Sequence, residues 1–300
     1  VLLVEPRGSD GAPIYPRHCT GVIVASPADP DHAYRVELPR GEVLSFKRRD
    51  FEVLSVFQST RGTADPLTRH DLSAHVIYRC IVGSRAYGLD HDASDTDRRG
   101  VYLPPASLHW SLYGVPEQLE NAEAEECYWE IQKYLTLALK ANPNVLETLY
   151  TPLVEQATPL AQELRAMRGI FLSKLVYQTF NGYAISQFRK IEQDLRTKQA
   201  VKWKHAMHLI RLLHAGIAAL RTGDLPVAVE PAQREELLAI REGAIPWDII
   251  DERRRALHAA FDEAFTRTSL PDRPDYDRAN DFLVRARRAM VDAREDGEIL

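Results

Sequence analysis

Apolar and polar positions change rhythm along this chain. Between residues 18 and 56 the apolar residues come in short runs, TGVIVAS, AYRVEL, EVLSF and FEVLSVF, rich in β-branched and aromatic types. Turn-forming clusters, PADPDH, PRGE and KRRD, separate them. Runs this short and close predict strands of a small antiparallel barrel or curled sheet, a β-barrel-like module over residues 1–60. QSTRGTADP, residues 58–66, is polar with Gly and Pro and reads as a linker. Beyond it LTRHDLSAHV predicts a short helix, and VIYRCIVGS a buried strand running into a glycine turn. DTDRRGVYLP predicts a second strand. EECYWEI predicts a third, with Glu125, Cys127 and Trp129 on one face and Glu126, Tyr128 and Glu130 on the other. A helix begins with YLTLALKA at residue 134, and Asn142-Pro143 ends it and opens the next, through NPNVLETLY. From about Pro159 to Asp292 apolar residues recur at spacings of three and four, the pattern of successive amphipathic helices. The expected organisation is α+β: the N-terminal β module, a mixed-sheet core over 66–155, and a helical domain over 156–300.

Composition adds limits. With 300 residues, 45 % hydrophobic and 27 % charged, the chain can bury a sizeable core without staples. A net charge of −5 makes any nucleic-acid site a local patch rather than a coat. Cys19, Cys80 and Cys127 are odd in number and lack zinc spacing, which predicts neither a disulfide framework nor structural zinc and fits a reducing cytoplasm. No apolar run approaches the ~18 residues of a membrane span. No charged-apolar-small leader opens the chain, which starts at Val1 rather than Met.

The chemistry concentrates in VGSRAYGLDHDASDTDRRGVYLPP, residues 82–105. Asp95 and Asp97, at i and i+2 on a strand, share a face and repel unless a cation joins them. Oxygen ligands so placed suit Mg²⁺ or Mn²⁺, held through one or two carboxylates plus substrate phosphates. Gly83 lets backbone approach a phosphate, and Ser84 offers a hydroxyl and an N–H. Arg85 is placed to reach a phosphate, and Ser94 to brace the turn. Arg98 and Arg99 are the alternative partners of the aspartates. Asp-x-Asp alone is common in turns; strand, Gly-Ser, some ten residues, Ser-Asp-x-Asp, strand is a more specific order.

That order resembles the nucleotidyltransferase superfamily that includes DNA polymerase beta. Taken with KANPNVLETLY and KHAMHLIRLL, it is similar to the branch called YcgL-like or RNA-ligase-associated nucleotidyltransferases, over roughly residues 75–290. The resemblance implies a polymerase beta-like mixed-sheet core followed by a helical domain. It implies transfer of a nucleotidyl group from an NTP with Mg²⁺. It also implies a third carboxylate on a later strand. Glu125 opens the run EECYWE, residues 125–130, and is the first choice; Glu126 faces the other side of the sheet, so only one of the two serves. Asp95, Asp97 and Glu125 are then the expected catalytic and metal-binding residues.

Residues 189–211 gather seven cations, Arg189, Lys190, Arg196, Lys198, Lys202, Lys204 and Arg211, against Glu192 and Asp194. Lys204, His208 and Arg211 fall at i, i+4 and i+7, one helical face. With Gly83, Ser84, Arg85 and Ser94 they form the expected nucleotide-binding set. Tyr183 and Gln187 are candidates for stacking on and reading a base, while Asn142 reads first as a helix cap. The expected reaction moves an NMP group to an acceptor hydroxyl on RNA and releases pyrophosphate. The alternatives are an AMP- or UMP-transferring protein modifier and a non-catalytic nucleotide-sensing or RNA-binding module. The base of the NTP, the acceptor and the oligomeric state are not legible.

Overall fold

The computed structural model describes residues 1–8, 11–27, 32–61, 70–91, 94–198 and 202–291. The chain divides into two compact units, Val1–His70 and Asp71–Leu300.

The first unit is a three-stranded antiparallel meander of β1 (Val22–Ala25), β2 (Tyr34–Glu37) and β3 (Val43–Phe46), with β2 in the middle. Its small core gathers Leu2, Tyr15, Val36, Leu38, Phe46 and Phe51. The Tyr15 hydroxyl closes the far end, donating to Glu42 Oε2 at 2.7 Å and accepting from Arg40 N at 2.9 Å. FEVLSVF is not a fourth strand. Only Phe51 pairs, with Leu2, and Leu54–Arg61 forms helix α1. β-branched content is a weak prior, and here the helical turn takes the segment. The expected linker thus begins inside α1, and its remainder lies outside the described residues.

The second unit is built on a five-stranded mixed sheet in the order β6-β7-β5-β4-β8. After β4 (Val76–Ile81) come the short helix α2 (Gly83–Tyr87), β5 (Arg98–Tyr102), α3 (Ala106–His109), β6 (Gln118–Asn121) and β7 (Glu126–Glu130). Helices α4 (Ile131–Leu139) and α5 (Pro143–Tyr150) lead to β8 (Val154–Ala157). β4 pairs antiparallel with β5 and β8; β5 runs parallel to β7. The β4–β5 ladder needs Gly100, because a Cβ there would lie 1.8 Å from the Tyr78 carbonyl oxygen. Helix α4 starts three residues before the apolar pattern suggests, since Glu130 caps it by accepting from Gln132 N at 2.8 Å. Asn142 caps α5 with Pro143 in its first turn, accepting from Asn144 N at 3.0 Å. β6 and β8 are strands that the sequence pattern did not indicate, and LSAH is a 3₁₀ turn.

Helices α6 (Pro159–Ala166), α7 (Leu175–Lys198), α8 (Trp203–Thr222), α9 (Pro231–Arg241), α10 (Trp247–Arg267) and α11 (Tyr276–Ala289) complete this unit. α8 packs against α7, α9 and α10 and is buried along most of its length. One apolar cluster runs from β4 and α4 through α8 to α11, so the sheet and the helices share a core. Arg287 on α11 forms an ion pair with buried Glu130 at 2.5 Å, fixing α11 to the β7–α4 junction. Cys19, Cys80 and Cys127 are free. Among the described residues no helix is long and apolar enough to cross a membrane.

Candidate active site

The end of β4 and the start of β5 lie side by side. Val82 N donates to Asp97 O at 3.0 Å, which extends the ladder beyond the strands and sets the turn at Gly83 against Asp97. Gly83 has φ +71°, and a Cβ on it would meet Asp97 Oδ2 at 2.5 Å. The left-handed conformation favours glycine there, and any Cβ would also push the Asp97 carboxylate aside. Ser84 follows in α2, which ends in a left-handed Gly88. Residues of α9 grip this end: Arg234 Nε donates to Gly88 O at 2.6 Å, and Arg241 donates to Leu89 O.

A cavity of about 310 Å³ opens at this junction. Gly83, Ser84, His91, Ser94, Asp95 and Asp97 form one wall; Lys204, Met207 and His208 from α8, with Arg241, form the other. One side thus carries carboxylates and hydroxyls, the other cations. Burial first, and then the charges of Arg211 and Lys204, push the His208 imidazole down to about 3, so it is neutral at physiological pH.

Most of the expected site residues converge here: Gly83, Ser84, Ser94, Asp95, Asp97, Lys204 and His208. Ser94 also braces its loop, its Oγ accepting from His91 N at 2.9 Å. Three others stand elsewhere. Arg85 is turned onto the loop, donating to Ser94 O at 2.7 Å and Asp95 O at 3.3 Å. Arg211 is buried behind the cavity, where its Nη1 donates to Glu147 Oε1 at 2.8 Å. Glu125 is exposed and precedes β7, with its backbone left-handed at φ +54°. Its carbonyl, accepting from Arg98 N and from Arg99 Nη1 at 2.7 Å, is what faces β5. Among the described residues no three His, Cys, Asp or Glu side chains are grouped so as to hold one metal ion together, so Asp95, Asp97 and Glu125 are not gathered as the expected triad. A left-handed residue breaks the strand alternation on which Glu125 was chosen.

Arg98 and Arg99 part company. Arg98 pairs with Glu155 on β8, at 2.9 and 3.1 Å, and Arg99 Nη2 pairs with Asp97 Oδ1 at 3.2 Å. Tyr183 accepts from Asn142 Nδ2 at 3.0 Å, and Gln187 Oε1 meets His205 Nδ1 at 3.0 Å, so these two side chains join helices together.

The chain matches, over residues 62–285, the family model RlaP, described as the RNA repair pathway DNA polymerase beta family. The chain belongs to the RlaP family. It is also similar to the uncharacterized protein YcgL of Bacillus subtilis (strain 168), 28 % identical over 190 residues, which cover 60 % of this chain and 70 % of the relative. No solved structure matches. The RlaP match includes both walls of the cavity and leaves out the first unit apart from its last residues. The family is polymerase beta-like, which makes this a nucleotidyltransferase-type chain on a mixed α+β frame.

The donor set fits a divalent ion of the Mg²⁺ class. Asp95 and Asp97 supply two hard oxygens, and such an ion commonly takes its remaining ligands from water and substrate phosphates. Sequence reasoning missed Met207 and Arg241. Arg241 lies over a hundred residues from the aspartates, on a helix whose charge pattern carries no phosphate signature.

Proposed function

We propose that this RlaP-family chain transfers a nucleotidyl group from an NTP to an acceptor hydroxyl on RNA. The observation that carries the reading is the convergence, on one cavity, of the Gly83–Ser84 turn, the Asp95 and Asp97 carboxylates, and the Lys204 and His208 face of α8. In this reading Gly83 and Ser84 cradle the β and γ phosphates, and Lys204 neutralises charge on the same chain from the opposite wall. Asp95 and Asp97 hold Mg²⁺ or Mn²⁺, which when bound offsets the charge that builds on the phosphate oxygens. The acceptor oxygen attacks the α-phosphorus in line. The bond from that phosphorus to the bridging oxygen breaks, pyrophosphate leaves with the electron pair, and the acceptor proton passes to solvent. Positioning and electrostatics supply most of the rate in such transfers. In this reading the exposed cations Arg189, Lys190 and Arg196 of α7, with Lys204 of α8, meet the acceptor.

A second reading has its own support. Arg99 occupies one oxygen of Asp97, and no third acid joins the pair among the described residues. Both features suit a nucleotide sensor that binds without turnover.

The test uses the four α-labelled NTPs with Mg²⁺ or Mn²⁺, total RNA in one tube and protein extract in another, and Asp95→Asn/Asp97→Asn as the paired variant. Label on RNA, absent from the variant, is the expected result. Label on protein moves the acceptor, and metal-dependent NTP binding without transfer selects the sensor. Wild-type protein that neither transfers nor binds any NTP overturns the proposal.

A further inference from the structure

Behind the cavity lies a buried charged group for which the proposed chemistry has no direct use. Tyr87 on α2, Glu147 on α5 and Arg211 on α8 meet in the interior, with relative exposures of 6 %, 3 % and 7 %. Glu147 Oε2 accepts from the Tyr87 hydroxyl at 2.6 Å, and its Oε1 accepts from Arg211 Nη1 at 2.8 Å. The Arg211 guanidinium also lies over the Tyr87 ring, 3.6 Å from its centroid. Burial works against the charge on Arg211, yet Glu147 and Tyr87 hold its pKa above the ordinary range.

Stability alone does not account for such a group, because apolar residues of the same volume often fold as well as a buried ion pair. Its position gives a reason. α2 has five residues and begins with Gly83 and Ser84. A helix that short is not stable alone and takes its orientation from its neighbours. α8 carries Lys204 and His208, and His208 sits one turn before Arg211. The edge of His208 meets the same Tyr87 ring, with centroids 6.5 Å apart. Asp97 also acts electrostatically on the Tyr87 phenol. One carboxylate, Glu147, therefore ties the helix beneath the glycine-serine turn to the helix that forms the cationic wall.

We propose that Tyr87, Glu147 and Arg211 are positioning residues that hold the two walls of the cavity at the separation a metal-bound triphosphate needs. The inference rests on the nucleotide reading of the cavity. Without the tie, α2 and α8 sample other separations, and apparent affinity falls in proportion to the competent fraction. The loss falls on the ligand that spans both walls. A metal ion alone, which touches only the aspartate wall, is spared.

The experiment measures equilibrium binding of ATP, GTP, CTP and UTP with Mg²⁺, and of Mn²⁺ alone, to the full chain. The variants are Tyr87→Phe, Glu147→Gln and Arg211→Lys, beside Asp95→Asn/Asp97→Asn. Tyr87→Phe keeps the ring under Arg211 and removes only the hydroxyl. It should melt cooperatively, bind Mn²⁺ as the wild type does, and bind nucleotide roughly tenfold more weakly, the scale of one hydrogen bond to a charged group. Arg211→Lys keeps the charge without the planar stack and should fall between wild type and Glu147→Gln. If Glu147→Gln does not fold, Tyr87→Phe decides. Nucleotide affinity unchanged in folded Tyr87→Phe overturns the inference, as does an equal loss for nucleotide and Mn²⁺. Wild-type protein that binds no nucleotide overturns the underlying reading instead.

Discussion

At Gly83 the left-handed backbone and the 2.5 Å approach of Asp97 Oδ2 to the position of an absent Cβ act together. Gly83→Ala should cost about 1–2 kcal/mol from the left-handed conformation alone. It should also displace the Asp97 carboxylate and abolish metal-dependent nucleotide binding. Urea unfolding and calorimetric titration of Mg²⁺ and NTP check the two halves separately. That Gly83 and the Asp-x-Asp belong together was legible from the sequence pattern, and the structure brings them to one cavity. Glu125 was less legible. Strand alternation places a side chain only while the backbone stays extended, and φ +54° ends that. Arg211 shows a different limit. Its spacing put it on the same helical face as Lys204 and His208, but spacing carries no depth, and α8 passes from the cavity into the core along that face.

Elements were legible where one pattern dominated. β4, β5 and β7 follow their β-branched and aromatic runs, and α5 follows the Asn-Pro start. β6 and β8 escaped because QLEN and VEQA are short and at least half polar, and they become strands through the edges they pair with. Their pairing depends on the central ladder, which is tight at Gly100. Gly100→Ala would put a methyl group 1.8 Å from the Tyr78 carbonyl oxygen, against rigid backbone rather than a movable side chain. The expected cost exceeds about 4 kcal/mol, in the range reserved for severe core disruption. Chemical denaturation followed by circular dichroism measures it; a Gly100→Ala protein as stable as wild type would contradict the ladder geometry.

For the molecule as a whole, the α+β class and the turn to helices after residue 159 were readable from periodicity. The common core that runs from sheet to helices was not, since periodicity shows that a face is apolar and not which face it meets. The stability of the whole should carry a signature of its half-buried imidazoles. His208 titrates near 6.5 when unfolded and is pushed to about 3 by burial, then by Arg211 and Lys204. Between those values the unfolded chain binds the proton and the folded chain does not. Stability is therefore full above 6.5 and falls as the pH is lowered toward 3. His109, His205, His214 and His258 are lowered in the same direction, each chiefly by burial. His208→Gln should flatten the fall without abolishing it, read from denaturation midpoints across that pH range.

On the proposed nucleotide reading, the Arg99–Asp97 pair makes occupancy of the cavity an exchange. An incoming ion meets a carboxylate with a resident counter-charge on one oxygen, so part of its attraction goes into releasing an arginine. Polyphosphate offers that arginine another anion. Metal and nucleotide then relieve each other's electrostatic cost, and linkage requires each to tighten the other by the same factor. Metal alone still binds on that reading, but each ligand binds more tightly once the other is in place.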